Sequence, residues 1–114
     1  MSLQPIPLAW RQAVCVALRA GKSHFTNLGR SKWEHSFPGG FKPELEEDLV
    51  KQLNKPNPRR CPVQMDHPPG TTWEFWFTHQ GCKTYGKLLL EEGGQRVLIL
   101  SAHHPQRPKL HCED

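Results

Sequence analysis

No stretch of this 114-residue sequence is apolar for long enough to cross a bilayer. Its most apolar runs, Leu88–Leu90 and Val97–Leu100, fall far below the roughly 20 residues that a spanning helix needs, so no membrane partner is expected. The opening segment Met-Ser-Leu-Gln-Pro-Ile-Pro has no basic residue before its weak apolar run and reaches Arg11 almost at once, so it does not read as a secretory signal. Cysteine is sparse: the four residues, at 15, 61, 82 and 112, form no CxxC pair and fall short of the density of an exported disulfide scaffold. A reduced, cytoplasmic protein is therefore the expectation. The glycine pairs Gly39-Gly40 and Gly93-Gly94 read as turns and lack the strand-to-helix setting and Lys-Ser/Thr pair of a nucleotide-binding loop. There is no heptad or symmetric motif to specify an oligomer, although an exposed β edge or the Trp76 face could support a homodimer.

What is present divides into a helical half and a sheet half, the pattern of a single compact α+β domain over 1–114. Residues 8–20 are rich in helix formers, with Trp10, Val14, Ala17 and Leu18 on one apolar face and Gly21 as a stop. A second helix is expected over 43–54. Its acidic residues come early, its lysines late, and Leu45, Leu49 and Leu53 recur every four residues. Residues 21–41 look irregular but packed, and the five prolines of 55–70 make a stiff crossing. Three strands follow, over 73–77, 83–90 and 96–101, separated by hairpin-length turns. The expected fold is two N-terminal helices on an antiparallel β-meander of three or four strands, the fourth lying near Val63–Met65 or Lys109–Cys112.

Side-chain alternation places Trp73, Phe75 and Phe77 on one face and Glu74 and Trp76 on the other, with Tyr85 and Lys87 sharing a face of the next strand. His103 and His104 close the last strand, where functional groups are commonly presented, and in a regular strand only one of them can face Lys87 and Tyr85. Imidazole passes protons near neutrality, and Lys and Arg stabilise developing phosphate charge. That combination suits metal-independent RNA cleavage, with His103 or His104 as acid or base, Lys87 and Arg60 as phosphate stabilisers, and Tyr85 as an orienting group.

A second basic segment runs from Lys22 to His35. Lys22, Arg30, Lys32 and Trp33, with Arg59 and Arg60, form the candidate surface for RNA or another polyanion. Residues 1–60 carry ten basic and five acidic side chains and residues 61–114 five and six, so the footprint is expected mainly on the N-terminal half. Cys61, His67, Cys82, His103, His104, His111 and Cys112 could supply zinc ligands, but their spacing pre-organises no site, and no cofactor is expected. The architecture resembles that of compact microbial RNases and toxin nucleases. The resemblance implies a small basic RNA-binding protein acting as an endoribonuclease of microbial toxin type. The alternative is a non-enzymatic nucleic-acid-binding or protein-interaction adaptor.

Overall fold

The computed structural model describes residues 3–56, 59–65 and 69–113. The chain order is β1 (Gln4–Pro5), α1 (Leu8–Arg19), β2 (Ser23–Phe25), α2 (Asn27–Ser36), α3 (Lys42–Leu53), β3 (Arg59–Val63), β4 (Gly70–His79), β5 (Cys82–Glu91) and β6 (Val97–His103). The α+β class is as expected, but the described residues hold three helices and a six-stranded sheet in the order β1-β3-β4-β5-β6-β2. The sheet is mixed, because β2 runs parallel to β6 while the other neighbours are antiparallel.

The helix ends follow local chemistry. Gly21, at a φ of 71°, closes α1: its N–H donates to the Leu18 carbonyl and that of Lys22 to Ala17, which satisfies carbonyls the helix leaves open. Segment 21–41 is more regular than expected. Thr26 caps α2 by accepting a hydrogen bond from the Gly29 amide at 3.1 Å. A β-carbon at Gly29 would stand 2.5 Å from the Ile99 carbonyl oxygen, so glycine is what lets α2 lie this close to β6. Arg11 of α1 donates to the Leu53 carbonyl at the end of α3, tying the two helices together.

One core joins the helices to one sheet face. Trp10, Val14 and Leu18 of α1 and Leu45, Leu49 and Leu53 of α3 meet Trp73, Phe75, Phe77, Leu88 and Ile99. Each such side chain, fully buried, contributes about 1.5–3 kcal/mol. The expected alternation along β4 is therefore observed. Trp76 and Tyr85 instead pack with Cys61, Leu110 and Cys112 in a smaller cluster.

The expected fourth strand is shifted and joined by two others. It is β3, ending at Val63 and paired with β4, and two-residue β1 borders it. Residues 109–112 are not a strand; they belong to an irregular strap, residues 104–113, that crosses the sheet. The expectation of reduced cysteines is corrected as well: Cys61 on β3 and Cys112 on the strap form a disulfide, with Cα atoms 5.8 Å apart. Cys15 and Cys82 are free. Disulfides persist mainly in oxidising compartments, so the cytoplasmic expectation loses the support it drew from reduced thiols. Among the described residues no helix is long and apolar enough to cross a membrane.

Candidate functional site

The polar face of the sheet is organised in rows. Trp76 pairs with Tyr85 and Tyr85 with His103, while Glu74 pairs with Lys87 and Lys87 with Ser101. The position of His103 depends on a bulge. Leu88 pairs with Ile99 but Lys87 pairs with Ser101, leaving Leu100 as an extra residue in β6. In a regular strand Ser101 and His103 would follow Val97 and Ile99 into the core. The extra residue turns them to the face of Lys87 and Tyr85, and Ala102 enters the core in their place.

These rows floor a recess of about 170 Å³. Lys32 of α2 forms part of its wall, and Gln106, Arg107 and Lys109 on the strap complete it. The strap is held by three attachments. Cys112 is disulfide-bonded to β3, Leu110 is buried, and both the backbone amide and Nδ1 of His111 are hydrogen-bonded to Oε1 of Glu74.

Glu74 is only 2% exposed, and it also accepts the Tyr85 hydroxyl proton on Oε2. Burial alone would raise its pKa, but the hydrogen bonds from Tyr85 and His111 outweigh burial and hold it below the ordinary carboxylate value. Tyr85 is driven upward by burial and by the same carboxylate, so it keeps its proton; the charge of Arg107 opposes that shift. Tyr85, Glu74 and His111 thus form one hydrogen-bonded chain across the floor, with the Arg107 charge beside Tyr85.

His103 is 4% exposed, and its Nδ1 lies 2.8 Å from the carbonyl oxygen of His104. A carbonyl can only accept, so Nδ1 carries the proton and Nε2 is the basic nitrogen of the neutral ring. Burial, reinforced by the charges of Lys32, Lys87 and His104, pushes the imidazole below its usual range, and the hydrogen bond to the His104 carbonyl opposes this only in part. A group with that tautomer and that shift is a base available at neutral pH.

The recess therefore unites His103, Lys87 and Tyr85 from the catalytic set with Lys32 from the basic segment. His104 is exposed and sits outside, its ring 4.7 Å from Phe37, and it acts on the site through the carbonyl that orients His103. The other basic candidates are dispersed. Lys22 lines a separate hollow between α1 and the β5–β6 turn, and Arg30 lies over the Phe25 ring at 5.9 Å. Arg60 is on β3, where its charge interacts with Glu113, and it does not line the recess. Arg59 lies beside it on β3, and its side chain falls outside the described residues.

Trp33 is corrected as a surface group: it is buried and stacked on Phe25 at 5.0 Å, because the apolar side of α2 needs it in the core. The recess draws Lys87, Arg107 and Lys109 from the less basic half of the chain and Lys32 from the more basic one. Folding gathers charge that the count by halves had separated. Sequence reasoning missed Arg107 and Lys109, whose loop shows no motif, and the role of His111.

Two groups among the described residues bring metal-binding atoms within 4.8 Å of one another: Cys61 with Glu74 and His111, and Glu44 with Asp48 and His79. In the first, Cys61 is spent in the disulfide and Glu74 is bound to His111. In the second, His79 and Asp48 are paired at 2.8 Å. Neither group includes Cys82, His103 or His104, and His67 lies outside the described residues.

The chain matches no protein-family model, no curated protein and no solved structure.

Proposed function

We propose that the protein binds RNA in this recess and cleaves it without a metal ion, the reaction expected of a small endoribonuclease of microbial toxin type. One observation carries the reading: an almost wholly buried imidazole with its basic nitrogen at Nε2 shares a small recess with Lys32, Lys87, Arg107 and Lys109. Four cations around one base match a phosphodiester, whose charge grows as its phosphorus becomes five-coordinate. Glu74, beneath them, is already committed to Tyr85 and His111.

In this scheme the 2′-hydroxyl attacks the adjacent phosphorus while His103 Nε2 removes its proton. The bond from phosphorus to O2′ forms as that to O5′ breaks, and the Lys87 ammonium protonates the departing oxygen. The products are a 2′,3′-cyclic phosphate and a 5′-hydroxyl. Solvent returns the proton from His103 to Lys87. Arg107 and Lys109 hold the phosphate, and Tyr85, fixed by Glu74, orients Arg107 against it.

A DNA strand carrying a single ribose tests this chemistry. It should be cut only after the ribose, in excess chelator, leaving a cyclic phosphate identifiable by mass spectrometry. Cutting at deoxyribose positions, or a 5′-phosphate product, contradicts the scheme. Binding of RNA without any cleavage would make the protein an adaptor that uses the same recess.

A further inference from the structure

The recess does not end at His103. A second cavity of about 450 Å³ opens beside it between α2 and the start of the strap, and the two share Lys32, His103 and Gln106. The recess alone is smaller than the roughly 300–1,000 Å³ of a typical ligand site, whereas the two adjoining cavities, taken together as one trough, reach that range. The two parts differ in character. The recess has Tyr85 and a half-exposed Trp76 among its cations, while the second cavity offers Ser31, His35, Ser36 and His104. The wall between α2 and the strap is fixed, because the His104 amide donates to Ser36 Oγ at 3.1 Å.

We propose that this trough is a two-subsite cleft for single-stranded RNA, in which the recess takes the reacting phosphodiester and the cavity bounded by His35 and His104 takes the neighbouring nucleotide. The inference rests on the RNA reading above and names its substrate class. His103 is too buried to meet a phosphate on the outside of a duplex, so the strand must enter the trough. Lys83 covers one face of Trp76 at 4.3 Å, so Trp76 and Tyr85 offer what remains of their rings, and only an unpaired base can reach it. Lys32, common to both cavities, is placed to neutralise the phosphates on either side of the shared nucleotide. The hydroxyls and imidazoles of the second cavity suit sugar and phosphate oxygens.

The test uses the full chain and 2′-O-methyl strands, which cannot be cleaved. Three probes are compared by fluorescence anisotropy: a nucleoside 3′,5′-bisphosphate, a single-stranded hexamer, and the hexamer annealed to its complement. The hexamer should bind at least tenfold tighter than either of the others. His35→Glu should narrow the ratio of hexamer to bisphosphate affinity about tenfold, whereas Lys87→Ala should weaken both probes together. Equal affinity for hexamer and duplex, or a His35→Glu variant with an unaltered ratio, overturns the cleft. Failure of both the bisphosphate and the hexamer to bind overturns the RNA reading, and the cleft with it. Circular dichroism of each variant establishes that it is folded.

Discussion

The two faces of the sheet are built from alternate residues of the same strands and obey different rules. Phe75 and Leu88 are fully buried in an apolar core, where volume and shape decide the outcome. One residue along, Glu74 and Lys87 face the opposite side, where a buried carboxylate, an aromatic hydroxyl and a cluster of cations depend on partners. Apolar burial is concentrated on the first face, and titratable groups on the second. The polar face also needs a covering segment from far along the chain, whereas the apolar face is covered largely by α1 and α3, whose sequence announces them.

Substitutions on neighbouring residues can break this comparison. Phe75→Ala should lower stability by about 3–5 kcal/mol in urea unfolding, while Lys87→Ala should shift it by no more than about 0.5 kcal/mol and yet weaken RNA binding. Similar losses from both would show that the faces are not separable.

Cys112→Ser comes next in expected size. The disulfide spans 51 positions, and chain entropy assigns such a link about 4 kcal/mol. Reducing agent should destabilise the parent but leave the variant unaffected. Because the strap carries Arg107 and Lys109, the variant should also lose RNA affinity under conditions where it remains folded.

Glu74→Gln should lower stability by about 1–3 kcal/mol at neutral pH, the cost of disturbing a buried acceptor. The folded-state pKa of Glu74 is depressed, so its stabilisation is fully present above the ordinary value of 4.5 and is lost as pH falls through the folded value. The difference between parent and variant should therefore shrink below pH 4.5, as unfolding midpoints across pH will show. A constant difference would mean that the carboxylate charge contributes nothing.

The smallest effect lies in the pH profile of cleavage. In the proposed scheme His103 acts in its neutral form, and burial with the nearby cations holds its pKa below 6.5, so activity should rise with pH along a limb centred below that value. Removing the Lys87 charge from the residual activity of Lys87→Ala should move the limb upward.

Much of the apolar face was legible in sequence. Leu45, Leu49 and Leu53 revealed α3, the Gln80–Gly81 turn fixed the β4–β5 pairing, and alternation separated Phe75 from Glu74. Helix α2 was not legible, because among its ten residues only Gly29 and Trp33 are buried, although Thr26 before it was an available capping signal. Strand β2 has three residues and pairs with β6 across 74 positions, a link that no local pattern carries. His103 and Lys87 could be named from residue type, but the bulge that brings His103 to Lys87 came from the packing of β6 on β5 and α2. Arg107, Lys109 and His111 lie in a segment without periodicity, and their place is set by the disulfide and by Glu74.

The central claim is that His103 is the base of a metal-independent RNA cleavage. Its most direct test is the cleavage rate of a single-stranded RNA in excess chelator by the parent and by His103→Ala, at matched thermal stability. The account predicts a loss of about 10²–10⁴-fold in the variant with RNA binding retained. An unchanged rate in the folded variant would contradict it.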